Sequence, residues 1–421
     1  MNTIEILPGV TLRAVQTKKY KTASLSISLL RPLCSEEAAG NALIPSVLLR
    51  GTKDHPDMAA ISDFLDTCYG AGIGGLIRKK GEVQTLGFYA DFINDRLAPD
   101  GMPVLASMIS FLGELLLQPV LQDGAFVPEF VEGEKLNLLN TIASRINDKR
   151  GYASRQMLRA MFAGEAYATD RLGEPDEVKA ITPASLYEHY QMVLAHSQVE
   201  VFYVGEADPE AAAALLKAAL SSIPRAEQTQ TGTVVRDMVA AVRTVEETMD
   251  VTQGKLCMGL RTAVTGADAR YPALLLLNTI YGGGVASKLF RNVREKHSIC
   301  YYANSALDKH KGVMAISSGI DCADYEKAKA AILAELEDCK AGRITEEELE
   351  TARQAAVSAL QAGMDSPGRM DDYSLGQVVS GCMGTMEDLT ELVRGVTVQQ
   401  VIDAANTLHL DTIYFLKGMN A

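Results

Sequence analysis

Six histidines and seven cysteines are available for metal binding or nucleophilic chemistry, and their spacing assembles none of the usual devices. A zinc-activated water needs two imidazoles one helical turn apart, with a glutamate beside them as general base. His55, His189, His196, His297, His310 and His409 form no H-E-x-x-H, no H-x-x-E-H and no i, i+4 pair. Glu188-His189 comes nearest, but Ser185 stands where an inverted motif would place its first histidine, so His189 reads as a polar helix residue. Nucleophilic catalysis has no better footing. There is no G-x-S-x-G elbow, and Cys34, Cys68, Cys257, Cys300, Cys322, Cys339 and Cys382 include no C-x-x-C pair and no catalytic signature. Gly282-Gly283-Gly284 has the composition of a phosphate loop, yet no G-K-[ST] follows it, and it reads as a tight helix-ending turn.

The elements that must position any site are those of a chain of 421 residues, enough for two or three domains. With 47% hydrophobic and 22% charged residues it has the balance of a globular protein, and its net charge of −13 opposes nucleic acid or an anionic membrane face as principal partner. An odd number of cysteines without a framework spacing fits reduced thiols. Glu5, Pro8 and Gly9 interrupt the N-terminal segment where a signal peptide would be basic and then apolar, and no apolar run is long enough to cross a membrane. A cytoplasmic protein is expected.

The chain repeats itself. Thr22 to Arg31 alternates Leu25, Ile27 and Leu29 with small polar residues, the pattern of a half-buried strand, and leads through a polar loop to the apolar helix Ala42 to Leu49 and then Gly51. Lys255 to Arg261, the helix Ala273 to Ile280 and Gly282 repeat this order. The same interval separates Leu25 from Gly51 and Leu256 from Gly282. Pro45 and Pro272 are expected near the helix starts, where a missing N–H costs little, and the glycines at C′ positions. The acidic helical stretch Phe130 to Met157 is echoed by Ile344 to Met370, and Thr182 by Thr397, each threonine an expected N-cap. The polar stretch beginning at Pro224 has linker composition. The expected organisation is an N-terminal domain over 1–223, a linker over 224–240 and a C-terminal domain over 241–421, both α+β, each a mainly antiparallel sheet with helices packed on one face.

The strand, polar loop and helix running into Arg50-Gly51-Thr52, followed much later by Gly282-Gly283-Gly284, Ser287-Lys288-Leu289-Phe290 and Arg294-Glu295-Lys296, resemble the M16 metallopeptidases, the insulinase, pitrilysin and mitochondrial processing peptidase family. The resemblance implies two homologous halves and, in active members, an H-x-x-E-H helix a fixed distance before the Gly-Thr pair. Counting back from Gly51 places Ala42 and Ser46 at the histidine positions and Pro45 at the base position. The resemblance implies a distal ligand seven residues after a glutamate on an acidic helix, and with Glu134 as that glutamate the position falls on Thr141. A methyl, a pyrrolidine ring and two hydroxyls do not make a zinc site, so no metal or other cofactor is expected in this chain.

The resemblance also implies an arginine and, seven residues on, a tyrosine that serve the zinc site from the second half. Arg294 and Tyr301 have that spacing. Arg294 follows Phe290 by one turn and is expected beside the apolar face of Leu289, Phe290 and Val293, while Tyr301 and Tyr302 on one strand point to opposite faces. Such a pair donates hydrogen bonds to a peptide carbonyl but cannot activate water alone. The expectation is a zinc-free subunit, not active by itself, that binds extended peptides, pairs with an M16-like chain carrying the intact motif and its zinc, and supplies Arg294 and Tyr301 to that partner. The alternative is a non-catalytic scaffold or peptide-binding protein of the same fold with no role in proteolysis.

Overall fold

The computed structural model describes residues 1–237, 239–382 and 384–419. Alternating apolar residues in the first half build strands β1 (Asn2–Leu7), β2 (Val10–Gln16), β3 (Thr22–Pro32), β4 (Gly72–Lys80) and β5 (Val83–Ile93), then a short hairpin of β6 (Leu121–Gln122) and β7 (Ala125–Phe126), and β8 (Gln198–Gly205). Apart from the hairpin they form one sheet in the order β1-β2-β8-β3-β5-β4. The second half contributes β9 (Arg243–Met249), β10 (Gly254–Arg261), β11 (Cys300–Asp308), β12 (Val313–Ile320) and β13 (His409–Gly418), in the order β11-β12-β10-β13-β9.

Traced from β9, the second sheet reproduces the first without β1. The β9–β13 pair is parallel, as is β2–β8, and the remaining neighbours are antiparallel. β3 and β10, the strands whose similarity is legible in the sequence, hold the same place in the two sheets.

The first half carries helices α1 (Ser35–Leu48), α2 (Met58–Thr67), α3 (Val104–Leu117), α4 (Pro128–Ser144), α5 (Lys149–Met161), α6 (Pro175–Ala180), α7 (Pro183–His196) and α8 (Pro209–Ala219). The second carries α9 (Tyr271–Tyr281), a π-helical segment (Leu289–Lys296), α10 (Tyr325–Lys340), α11 (Glu346–Met364), α12 (Pro367–Val379), α13 (Met386–Arg394) and α14 (Val398–Asn406). Thr182 and Thr397 cap α7 and α14 by accepting from Ser185 N and Gln400 N, as the sequence suggests. Each of the acidic helical stretches is two helices, α4–α5 and α11–α12. No helix among the described residues is long and apolar enough to cross a membrane.

Two compact units result, and neither is a continuous piece of chain. The first comprises 1–143, 169–232 and 367–375; the second comprises 144–168, 233–366 and 376–421. In the first, Leu25, Ile27 and Leu29 of β3 enter a core with Leu43, Ile44 and Val47 of α1 and Met108 and Leu112 of α3. The opposite face of β3 is not solvated, contrary to a half-buried reading. Ser26 and Ser28 are both buried, and Ser26 Oγ donates to Asp371 Oδ1 of α12 at 2.8 Å. In the second unit, α5 lays Ala153, Met157 and Met161 on Cys257 and Tyr414 of the sheet. Leu256, Met258 and Leu260 of β10 point the other way and are equally buried. The segment from Pro224 is strapped to the first unit: Arg225 donates to Pro8 O at 3.0 Å and to Ser197 O at 2.8 Å.

Two local expectations are corrected. α1 starts at Ser35, so Pro45 lies inside the helix rather than near its start, while Pro272 does sit at the opening of α9. The apolar run Ala42 to Leu49 is only the second half of a helix buried on nearly every side, whose first half is too rich in alanine and glutamate to stand out. The helix-ending glycines are not left-handed C′ residues: Gly282 has φ −148° and Gly51 is not among the positive-φ glycines. They are required by space. A Cβ on Gly51 would lie 2.4 Å from Pro56 O, and one on Gly282 2.6 Å from Ser305 N.

Candidate functional site

Ala42, Pro45 and Ser46 share the second half of α1. Ala42 and Pro45 are buried and Ser46 half-buried. Edge strand β4 packs over this point, so closely that a Cβ on Gly75 would stand 3.1 Å from Pro45 Cβ. On α4, the Thr141 hydroxyl donates back to Asn137 O at 2.9 Å, a bond within its own helix. Glu134 is engaged as well: Arg50 Nε donates to its Oε1 at 2.5 Å and Asn137 Nδ2 to its Oε2 at 3.2 Å.

The nearby histidines have structural work. His55 Nδ1 lies 3.0 Å from Glu114 Oε1, which also accepts from the Thr52 hydroxyl, and its ring is packed against Phe64 and Phe111. The Gly51-Thr52 loop is thereby tied to α3. His189 belongs to a directional chain that sequence spacing does not disclose. Gln84 Nε2 donates to Ala38 O and Arg171 O, so Gln84 Oε1 accepts from Asn41 Nδ2 at 2.8 Å. Asn41 Oδ1 then accepts from His189 Nε2 at 2.8 Å. Burial lowers the pKa of His189, in keeping with a neutral ring donating from Nε2.

Arg294 and Tyr301 are brought together in the second unit. The π-helical segment seats the Arg294 guanidinium 4.5 Å from the Phe290 ring centroid, beside the apolar face, and Nε donates to the Tyr301 carbonyl at 3.0 Å. Its NH1 pairs with Glu295 at 3.0 Å. Single π-helical turns recur at functional sites because the extra residue re-aims side chains. Tyr301 sits at a register shift of the β11–β12 pair, between Cys300 opposite Ile320 and Tyr302 opposite Gly319. The irregularity turns its ring outward, leaving Tyr301 52% exposed. Its hydroxyl donates to Asp321 Oδ1 at 2.9 Å, and that carboxylate raises the phenol's pKa. Tyr302 faces the other way, over Gly319, with the Arg150 guanidinium 4.3 Å from its ring centroid. Asp321 escapes a motif-based reading: antiparallel pairing of Cys300 with Ile320 puts the residue after Ile320 on the side of Ile299, and its contact with the Tyr301 hydroxyl is visible only in the structure.

Residues 180–356 match the family model described as Peptidase M16 inactive domain. Over 413 residues the chain is 33% identical to a Bacillus subtilis (strain 168) protein named "Probable inactive metalloprotease YmfF", covering 97% of this chain and 96% of that one. The chain belongs to the M16 peptidase family. A crystal structure of a conserved protein from Enterococcus faecalis V583 matches it with a TM-score of 0.90 at 30% identity, covering 100% of this chain and 99% of the other. An M16 inactive domain from Pseudomonas fluorescens shares the fold, with a TM-score of 0.81 at 18% identity over 99% and 98% of the two chains.

Zinc, the metal of active M16 enzymes, does not fit the residues present. The four positions offer a methyl, a ring without a donor, a half-buried hydroxyl and a hydroxyl spent on its own helix. Among the described residues no group of three or more His, Cys, Asp or Glu side chains could hold a metal ion. The chain is an M16 homologue lacking the family's zinc site.

Proposed function

We propose that this chain is the zinc-free subunit of a heterodimeric M16 peptidase, binding extended peptides and supplying Arg294 and Tyr301 to the zinc site of a partner chain with the intact motif. The observation that carries the reading is the pair itself: in a chain that lacks the family's zinc site, an outward-facing tyrosine hydroxyl is still backed by an arginine fixed to that tyrosine's own carbonyl. The exposed phenol has the chemistry to donate to a peptide carbonyl on which negative charge develops. Edge strands support the peptide-binding part. β4, at the end of its sheet beside β5 and rich in glycine at 72, 74 and 75, runs past Pro45, and β11 carries Tyr301 at the edge of its sheet.

The test is purification of this chain alone and with an M16-like partner carrying H-x-x-E-H. Peptide cleavage is expected only from the pair, with zinc bound by the partner and activity lost on chelation. Chelator-sensitive cleavage by this chain alone, traced to its own metal, would overturn the reading. In the assembled pair, Tyr301→Phe is expected to lower kcat about 10²-fold with assembly unchanged, the usual loss when one oxyanion donor is removed.

A second reading, a scaffold or peptide-binding protein without a part in proteolysis, is favoured by one observation. Both groups have partners inside the chain, the Arg294 Nε on a backbone carbonyl and the phenol on Asp321. Unchanged kcat in Tyr301→Phe would select it.

A further inference from the structure

We propose that the Tyr301–Asp321 hydrogen bond is a latch that withholds the Tyr301 hydroxyl in the free chain and must open before that hydroxyl can serve a bound peptide. The proposal rests on the in-trans role given to Tyr301 above and concerns how that role is controlled.

A phenol has one proton to donate. Here it is committed to Asp321 Oδ1 at 2.9 Å, so the same hydroxyl cannot at that moment donate to a peptide oxygen. The carboxylate also places negative charge where an oxyanion would form, and like charges at that separation repel. Asp321 therefore opposes the task in two ways while it holds the ring.

Among the described residues its side chain has no other hydrogen bond. Asp321 stands at the N-cap of the short 3₁₀ turn Cys322–Asp324, where an aspartate would ordinarily bond a backbone N–H, yet it makes no side-chain cap. The tyrosine has what a moving part requires. Its backbone is fixed by Arg294 Nε on the carbonyl, and it falls at the register shift of β11, so the ring can swing while the strand stays in place. At 52% exposure it swings into solvent rather than through a packed core. The raised pKa of Tyr301 agrees with a proton shared toward a carboxylate.

The test has two arms on the full-length chain. In the first, the chain is labelled at tyrosine Cζ and titrated by NMR, with the Tyr301 signal assigned by its absence from Tyr301→Phe. Asp321→Asn should lower the Tyr301 pKa relative to the native chain; an unchanged value overturns the latch. In the second, Asp321→Ala is assayed in the assembled pair, where kcat should rise about threefold or more, with no change when the same substitution is made on Tyr301→Phe. An impaired Tyr301→Phe together with an unchanged or slowed Asp321→Ala overturns the latch alone. A Tyr301→Phe without effect overturns the in-trans reading and the latch with it.

Discussion

Cut between Gly232 and Thr233 and expressed separately, the two halves of this chain are expected not to fold, whereas expressed together they should reassemble. The cause is the interleaving of the units. Fragment 1–232 contains residues 144–168, which belong to the second unit, and lacks 367–375, which belong to the first. It would expose Met157, Met161, Phe162 and Tyr167, all buried in the intact chain. It would also deprive Arg78 of Asp371 and Lys80 of Asp372. Fragment 233–421 loses the helix that covers Cys257 and Tyr414. Each large apolar side chain returned to water costs about 1.5–3 kcal/mol, so four of them cost roughly 6–12 kcal/mol. A domain's whole stability is about 5–15 kcal/mol, which leaves little or nothing. The measurement is denaturant unfolding followed by circular dichroism. A cooperative transition in either fragment alone would show that the exchanged segments are dispensable.

Glu165→Gln is the point substitution expected to destabilise the second unit most clearly. The Glu165 carboxylate, 7% exposed, accepts from Lys311 Nζ at 2.8 Å and from Arg261 NH2 at 2.9 Å, and the Lys311 side chain has no exposure at all. Arg261 in turn reaches Asp411 at 2.6 Å. Removing the charge at Glu165 takes the Glu165 carboxylate away from a buried ammonium that still donates to Val234 O at 2.6 Å, a defect of about 3–5 kcal/mol. Adding Lys311→Met should recover part of the loss, because the buried cation that Glu165 balanced is then gone; no recovery would mean that the carboxylate matters for its shape rather than its charge.

The same pair fixes the direction of a pH effect. Burial acts to raise the Glu165 pKa, but the hydrogen bonds and charges of Lys311 and Arg261 outweigh it, and the group lies below its ordinary value of 4.5. Such a carboxylate binds its proton more readily in the unfolded chain. Its contribution is therefore present above that value and lost as pH falls through the lower folded pKa. Native protein should lose stability on the acid side of pH 4.5, and Glu165→Gln should flatten that part of the profile.

The loss of the family's zinc ligands was legible in the sequence alone. A methyl at Ala42, a ring at Pro45 and hydroxyls at Ser46 and Thr141 are poor ligands in any fold, so residue identity suffices. The repeat was equally legible, because strand alternation and the threonine caps at 182 and 397 are written within a few neighbouring residues. The tertiary structure decided what depends on residues distant in the chain. Ser26 has the pattern of a solvated strand position, yet it is buried and donates to Asp371, which α12 brings from far along the chain. Pro45 becomes an interior helix residue because α1 begins at Ser35 and is packed on nearly every side from Ala38 onward. Tyr301 and Arg294 could be paired by spacing, but the acceptor of the phenol's proton was set by how β11 and β12 meet. Local signals are encoded by covalent neighbourhood, whereas the choice of which helix covers which sheet is a competition among buried surfaces that exists only once the whole chain has collapsed.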